Sequence, residues 1–421
     1  MKSSAANTTA LVGILALLLP ALGFGQATKL KKLPTLTTIR QVRALSPQQA
    51  QAGYPVRVRA VVTFYHVAAQ PDQVAAAAAL SSNMFIQDRT GGNWVGPATG
   101  QAGLKVGDYI ELQGVTAQSD FAPDIVKSHW RVLGSAPMPK PVRSEFGRLA
   151  STKEDSSWVE LEGIVRSAQP VNGDLRLEIA MDGGRVVGYV PRFRLPIPSH
   201  LVDAEVRVRG VCGAAFSEKN QVRGINLFIP SLDNIRTITP GTANPFTIPV
   251  QSISSILRFG VAGAAGHRVR IQGIVSLQRS GQYAYIKGRD GSTRVESSQA
   301  IGLQVGDVVD VVGFPLIGEY APILQQALFR VIGHTAPPLP QPVKIEQLAD
   351  GKHEGDLVQI EAQLMDRMLT PNEQILITEN HGAVMQSQLE DARAVGRLQS
   401  IQPGSGLRLV GICTTGRDYK G

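Results

Sequence analysis

Seven histidines and two cysteines are the residues from which a metal centre or a nucleophilic set would be built. Their spacing speaks against both. The histidines stand at 66, 129, 200, 267, 334, 353 and 381, in no HxH or HExxH arrangement and with no cysteine beside them. Zinc or hydrolytic chemistry needs such groups to converge on one atom, and scattered singly they read as surface histidines. A G-x-S-x-G elbow and a Walker loop are both missing. Asp108 and Asp307, each in a V-G-D triplet, read as turn residues, because Asp bonds its own backbone well there. A catalytic carboxylate pair needs two such groups in one cleft, and one per repeat does not supply that. No catalytic residue, metal site or cofactor is therefore expected in these residues. What remains is binding. The loops SDFAPDI (119–125) and GEYAPIL (318–324) carry an aromatic ahead of Ala-Pro on a stiff tip. Phe121, Pro123, Tyr320 and Pro322 are the candidate ligand contacts, by stacking. The alternative is that the rings plug a barrel end.

The elements that present these loops repeat four times. Strand-closing glycines recur at Gly114, Gly210, Gly313 and Gly411, in YIELQGVT, VRVRGVC, VVDVVGF and LRLVGIC. An earlier echo runs VRVRAVV (56–62), VELEGIV (159–165), VRIQGIV (269–275) and VQIEAQL (358–364). A period of about 100 residues means one small domain in series. Each unit opens on a short helical segment: Ile39-Val42-Leu45, Phe146-Leu149, Ile253-Ile256-Leu257 and Ile345-Leu348. Strands of period-2 alternation follow, with Asp-Gly and Asn-His-Gly hairpin turns between them. Five or six strands per unit predict an all-β chain of four tandem Greek-key, OB-like barrels, where an immunoglobulin sandwich needs about seven. The expected modules are 35–138, 142–240, 246–338 and 343–421. Pro-rich joints (136–142, 239–250 and 336–343) join them and read as semi-rigid spacers of an elongated rod. The fourth module is expected to be incomplete, since Gly411 is followed only by residues 412–421.

Residues 1–27 have the order of a secretory signal peptide: Lys2, an apolar Leu11–Leu19, then small residues. The other reading is an uncleaved anchor. Either one places the modules outside the cytoplasm. Cys212 and Cys413 occupy the same position in two modules, so they read as buried fillers and not as a disulfide. The net charge of +8 resides largely on alternate strand residues: Arg57 and Arg59, Arg207 and Arg209, Arg268 and Arg270. That is a solvated sheet face, with attraction to anionic surfaces as the alternative. Aromatics are only 5% of the chain and are not interleaved with basic residues, so no nucleic acid partner is expected.

The motifs Phe85-Ile86-Gln87-Asp88, Gly91-Gly92, Val106-Gly107-Asp108 and Phe121-Ala122-Pro123, repeated nearly as well in the third unit, resemble the extracytoplasmic OB-like sensor arrays of acidobacterial-type membrane histidine kinases. The resemblance covers roughly residues 35–421. It implies an inner-membrane tether and a kinase core beyond residue 421, a homodimer, and an unknown extracytoplasmic ligand or protein partner. Related architectures end in a diguanylate cyclase. The alternative function is a secreted or periplasmic binding protein for polysaccharide or cell-wall polymer, without signalling output.

Overall fold

The computed structural model describes residues 33–67, 82–96, 103–119, 122–194, 196–216, 222–259, 266–299, 302–318, 320–369, 374–389, 398 and 400–415. The expected leader, the alanine run at 75–79 and Phe121 lie outside the described residues.

The first module opens with two single-turn helices, α1 (Ile39–Arg43) and α2 (Pro47–Gln51), whose N-caps Thr38 and Ser46 each form a capping box with a Gln three residues on. Five strands follow: β1 (Pro55–Val67), β2 (Ser82–Asp88), β3 (Gly91–Val95), β4 (Asp108–Ala117) and β5 (Asp124–Ser135). They close in the order β1-β2-β3-β5-β4, with β3 parallel to β5 and the other pairs antiparallel. This is the OB topology. The alternation read from VRVRAVV holds: Val56, Val58, Ala60 and Val62 are buried, with Arg57 and Arg59 outside.

The second module comprises β6 (Val142–Arg143), α3 (Phe146–Ala150), β7 (Trp158–Val171), β8 (Asp174–Met181), β9 (Gly184–Val190), β10 (Glu205–Phe216), β11 (Val222–Phe228) and β12 (Ile235–Thr239). A pairing between β10 and β7 closes it too. Here β11 and β12 divide the work that β5 does alone. The third module, α4 (Ile253–Phe259) with β13 (Val269–Arg279), β14 (Tyr283–Lys287), β15 (Ser292–Glu296), β16 (Asp307–Ile317) and β17 (Pro322–His334), repeats the first barrel. The fourth has β18 (Gln341–Pro342), β19 (Leu357–Leu369), β20 (Gln374–Asn380), β21 (Ala383–Leu389) and β22 (Gly406–Ile412). Among the described residues no strand bridges β21 and β22.

The bend at each strand-closing glycine brings the fourth strand onto the strand that closes the barrel. A Cβ at Gly114 would lie 2.9 Å from Val126 O, one at Gly210 2.8 Å from Phe228 O, and one at Gly313 3.0 Å from Leu324 Cβ. Among the described residues, nothing lies within 4 Å of a Cβ placed at Gly411. Asp108 and Asp307 serve the turn, each accepting a backbone N–H three residues back at 2.8 Å.

The linkers are extended, and each is also stitched to the module that it precedes. Leu36, Val142, Val250 and Gln341 pair in parallel with Val56, Val159, Arg270 and Val358 on the first strands. The modules do not stand apart on spacers but touch through equivalent surfaces. Strand register identifies the equivalences. Gln87 pairs with Gly92, Ala180 with Arg185, Lys287 with Ser292 and Glu379 with Val384. Between modules one and two the contact is apolar: Phe64 and Phe85 pack on Trp158, Val211 and Phe228, and Gln87 Oε1 accepts the Trp158 N–H at 2.8 Å. Between two and three it is charged. Arg166 and Arg268 lie over the Phe314 ring at 4.9 and 5.2 Å, Arg185 donates to Gln325 at 2.6 Å, and Gln326 donates to Glu178 at 2.9 Å. Burial lowers the Arg166 pKa to about 10. Between three and four, Lys287 and Ser292 both meet Asp356 Oδ1 at 2.7 Å.

One sequence expectation changes here. Arg268 does not lie on a wet face, because the ring of Phe314 and the preceding module cover it. Other strand arginines are outside but paired. Arg57, Arg59 and Arg131 surround the buried Glu111, and Arg270 and Arg330 clamp the fully buried Asp310. Burial pushes the Asp310 carboxyl up, and the hydrogen bonds from those arginines outweigh it and hold it low. The two cysteines are free and buried, as their equivalence predicts. Burial raises their thiols to about 12 at Cys212 and about 11 at Cys413.

Phe64 is 2% exposed, and Phe64→Ala is expected to destabilise by about 3 kcal/mol. Chemical denaturation should then show modules one and two melting less cooperatively. The second joint carries a pH dependence. His267 Nδ1 meets Asp203 at 3.0 Å, and that hydrogen bond raises the imidazole above its ordinary 6.5. The stabilisation is complete below that value and is lost as pH rises through the raised one. His66 at the first joint works the other way, since burial holds it low and its contribution is lost as pH falls. A melting midpoint measured against pH should lose its alkaline-side fall in His267→Gln and keep the acid side.

Candidate functional site

The β2–β3 hairpin is held by Asp88, whose Oδ1 accepts from the Thr90 N–H at 2.6 Å and from the Gly91 N–H at 3.1 Å. This turn leads, past Gly92, into Asn93 and Trp94. Asn93 is 1% exposed. Its Nδ2 donates to Pro123 O at 3.1 Å and to Trp94 O at 2.8 Å, which pins the Ala-Pro loop. Thr293 makes the equivalent bond to Pro322 O at 2.6 Å in module three. Among the described residues the Asn93 Oδ1 has no partner, and a buried acceptor left unmade costs about 1–3 kcal/mol.

This amide borders a cleft of about 340 Å³ between modules one and two. Phe85 and Trp94 of the first module and Phe228 of the second supply the aromatic walls, and Asp124, Asp155 and Asn226 supply polar groups. Phe85 and Phe228 approach to 5.0 Å between centroids. Asp155 is held by the Ala214 N–H at 3.2 Å, the Ser156 hydroxyl at 3.0 Å and Arg43 at 3.5 Å. Among the described residues, no histidine or cysteine lines the cleft. The arrangement offers flat apolar faces beside hydrogen-bond acceptors, which suits a neutral polar ligand better than an anion. Among the described residues, no group of three or more His, Cys, Asp or Glu is placed to hold a metal ion.

Phe121 lies outside the described residues, and the other three contacts expected from the sequence do not meet in one place. Pro123 lines the cleft. Pro322 is buried. Tyr320, 40% exposed, belongs to the third joint, where a Cβ on Gly351 would collide with its ring. It does not plug a barrel. Sequence reasoning missed Asn93, Asn226 and Phe228. The signal that could have found the first is its equivalence to Thr293, a polar residue ahead of an apolar one in the same hairpin.

No protein-family model matches the chain. No curated protein matches it. Among solved structures, it is similar to a murine DNA-binding protein bound with double-stranded DNA (8% identity, 44% of this chain and 99% of that chain covered, TM-score 0.25). It is also similar to asparaginyl-tRNA synthetase from Pyrococcus horikoshii (17% identity, 26% and 25% covered, TM-score 0.19). A third similarity is to OBody AM3L09 bound to hen egg-white lysozyme (17% identity, 24% and 98% covered, TM-score 0.19). Scores at this level carry no assignment of partner or activity.

The cleft exists only while the modules stay docked, and Gly92 is the point of closest approach: a Cβ there would fall on the Ser156 carbonyl. Gly92→Ala is expected to force the joint open at a cost of about 1–3 kcal/mol. Hydrogen exchange should report faster exchange at the Trp158 amide, with the cores of both barrels still protected.

Proposed function

We propose that the chain is the extracytoplasmic ligand-binding region of a membrane-bound sensor histidine kinase, and that its ligand occupies the cleft between the first two modules. One observation carries the reading: the Asn93 Oδ1, with no partner among the described residues, set beside three aromatic rings in a cleft built from two modules. A pocket with apolar walls and a few convergent polar groups is the usual form of a small-molecule site. Rings for stacking and acceptors for hydroxyls favour a neutral polyhydroxylated ligand, such as the sugar units of a cell-wall polymer. A ligand bridging both modules stabilises the docked joint over the open one, and it shifts that equilibrium only by its differential affinity for the two. The kinase output rests on the resemblance of the module motifs. No helix among the described residues is long and apolar enough to cross a membrane, so the tether belongs to this proposal as a segment outside them.

Isothermal titration with soluble cell-wall glycan fragments tests the site. Saturable binding is expected, weakened at least tenfold, or about 1.4 kcal/mol, by Trp94→Ala and by Asn226→Ala. Absence of binding by every fragment, or binding that both variants leave intact, removes the cleft from consideration. The sensor half is tested separately by reading the coding sequence past codon 421. An apolar span of about 20 residues followed by a kinase core supports it. A stop codon overturns it and leaves a binding protein without signalling output.

A further inference from the structure

Each of the first three barrels holds one acid on the outside of its sheet beneath more arginines than neutralise it. Glu111 is met by Arg57 and Arg59 at 3.1 Å and by Arg131 at 3.6 Å. Glu160 is met by Arg143 at 3.2 Å and by Arg209 at 2.7 Å. Asp310 is met by Arg270 at 2.7 Å and by Arg330 at 2.8 Å. The three acids are buried, while the side chains of these arginines, Arg270 excepted, are more than half exposed. One guanidinium balances one carboxylate, so each collar keeps a surplus of positive charge at the surface, held in place by the acid below. A repeated position makes the point sharper. Arg131, Arg236 and Arg330 each stand opposite the residue three places before the strand-closing glycine, which is Glu111, Arg207 and Asp310 in turn. Modules one and three thus pair an arginine with an acid. Module two sets two arginines side by side, and Arg207 takes its ion pair from Glu162 instead. Like charges directly opposite each other destabilise a sheet. An exposed arginine retained at Arg236 is therefore not retained for a cross-strand ion pair.

We infer that these arginines form a docking surface for an acidic polysaccharide, a chain of sugars that bear carboxylates. None of them lines the cleft between modules one and two, and the surface does not depend on that cleft. Charge complementarity selects the partner. Guanidinium N–H groups left over from the buried acid suit a second carboxylate in the same planar geometry. The acid already restricts the side chains, which lowers the ordering cost of binding. The surplus recurs once per module, and a polymer can supply an acid to each, so that weak contacts add in a way that a single small anion cannot match. Given the export expected from the order of residues 1–27, glycans are the polyanions that this surface would meet, and not nucleic acids.

Biolayer interferometry with immobilised polygalacturonate and the 421-residue chain tests it, with neutral dextran and double-stranded DNA as comparison surfaces. Binding to polygalacturonate is expected at low salt, with loss at high salt through screening and no binding to dextran. Arg131→Gln combined with Arg236→Gln should raise the Kd about tenfold. The melting midpoint of that variant should not fall, because Glu111 keeps Arg57 and Arg59 and the repulsion between Arg207 and Arg236 is relieved. Trp94→Ala, in the cleft, should leave polymer binding unchanged, so that failure of the cleft and failure of this surface are told apart. Absence of polygalacturonate binding at low salt overturns the inference. Binding that the double variant leaves intact also overturns it, and assigns the arginines to the sheet alone. DNA bound as tightly as polygalacturonate, with the same loss in the variant, overturns the choice of a polysaccharide in favour of nucleic acid.

Discussion

The close approach at Gly114, Gly210 and Gly313 is the constraint on which the array depends. A five-stranded barrel closes only if its fourth strand can lie almost against the backbone of the strand that completes it. In this chain a β-carbon at these glycines would lie only 2.8 to 3.0 Å from its nearest neighbour. The same bend aims the following residue, Val211 or Phe314, away from its own barrel and onto the preceding module. One strand therefore serves two apolar environments, and barrel closure and module docking are coupled through it.

Much of the fold was legible in the sequence, because it rests on features that repeat without change. The glycines, the alternation of VRVRAVV, the V-G-D turns and the opening helical turns depend on residue type alone, and they recover the strands and the all-β class. The joints were not legible for the opposite reason. At the position of Phe64 the later modules carry Ser167, Leu277 and Asp366, so the docking face has no constant chemistry to recognise. Proline-rich joints read as spacers because nothing in their composition reveals that Val142 or Val250 pairs with the following strand. Arg268 read as a solvated residue because its alternation is correct, and only the neighbouring ring of Phe314 shows that the exposed side of one module is the covered side of the next.

The candidate cleft was half legible for a related reason. The Ala-Pro loop was visible as a stiff tip, and Pro123 does border the cleft. The walls opposite it come from residues more than a hundred positions later in the chain. Phe228 and Asn226 have no local signature, since they are ordinary members of a closing strand, and they become part of a site only once β11 is brought beside the first module.

The three joints, one aromatic, one cationic and one built on an acid, amount to an addressing scheme. Tandem domains of one fold risk pairing with the wrong neighbour while they form. Here a wrong pairing would set the rings of Phe64 and Phe85 against Asp356, or bury Arg166 and Arg185 with no Gln325 or Phe314 to receive them. Each such mismatch strands a charge out of water. Sharing one fold while varying the chemistry of its contact surface lets the chain fix the order of its modules without any difference in their barrels.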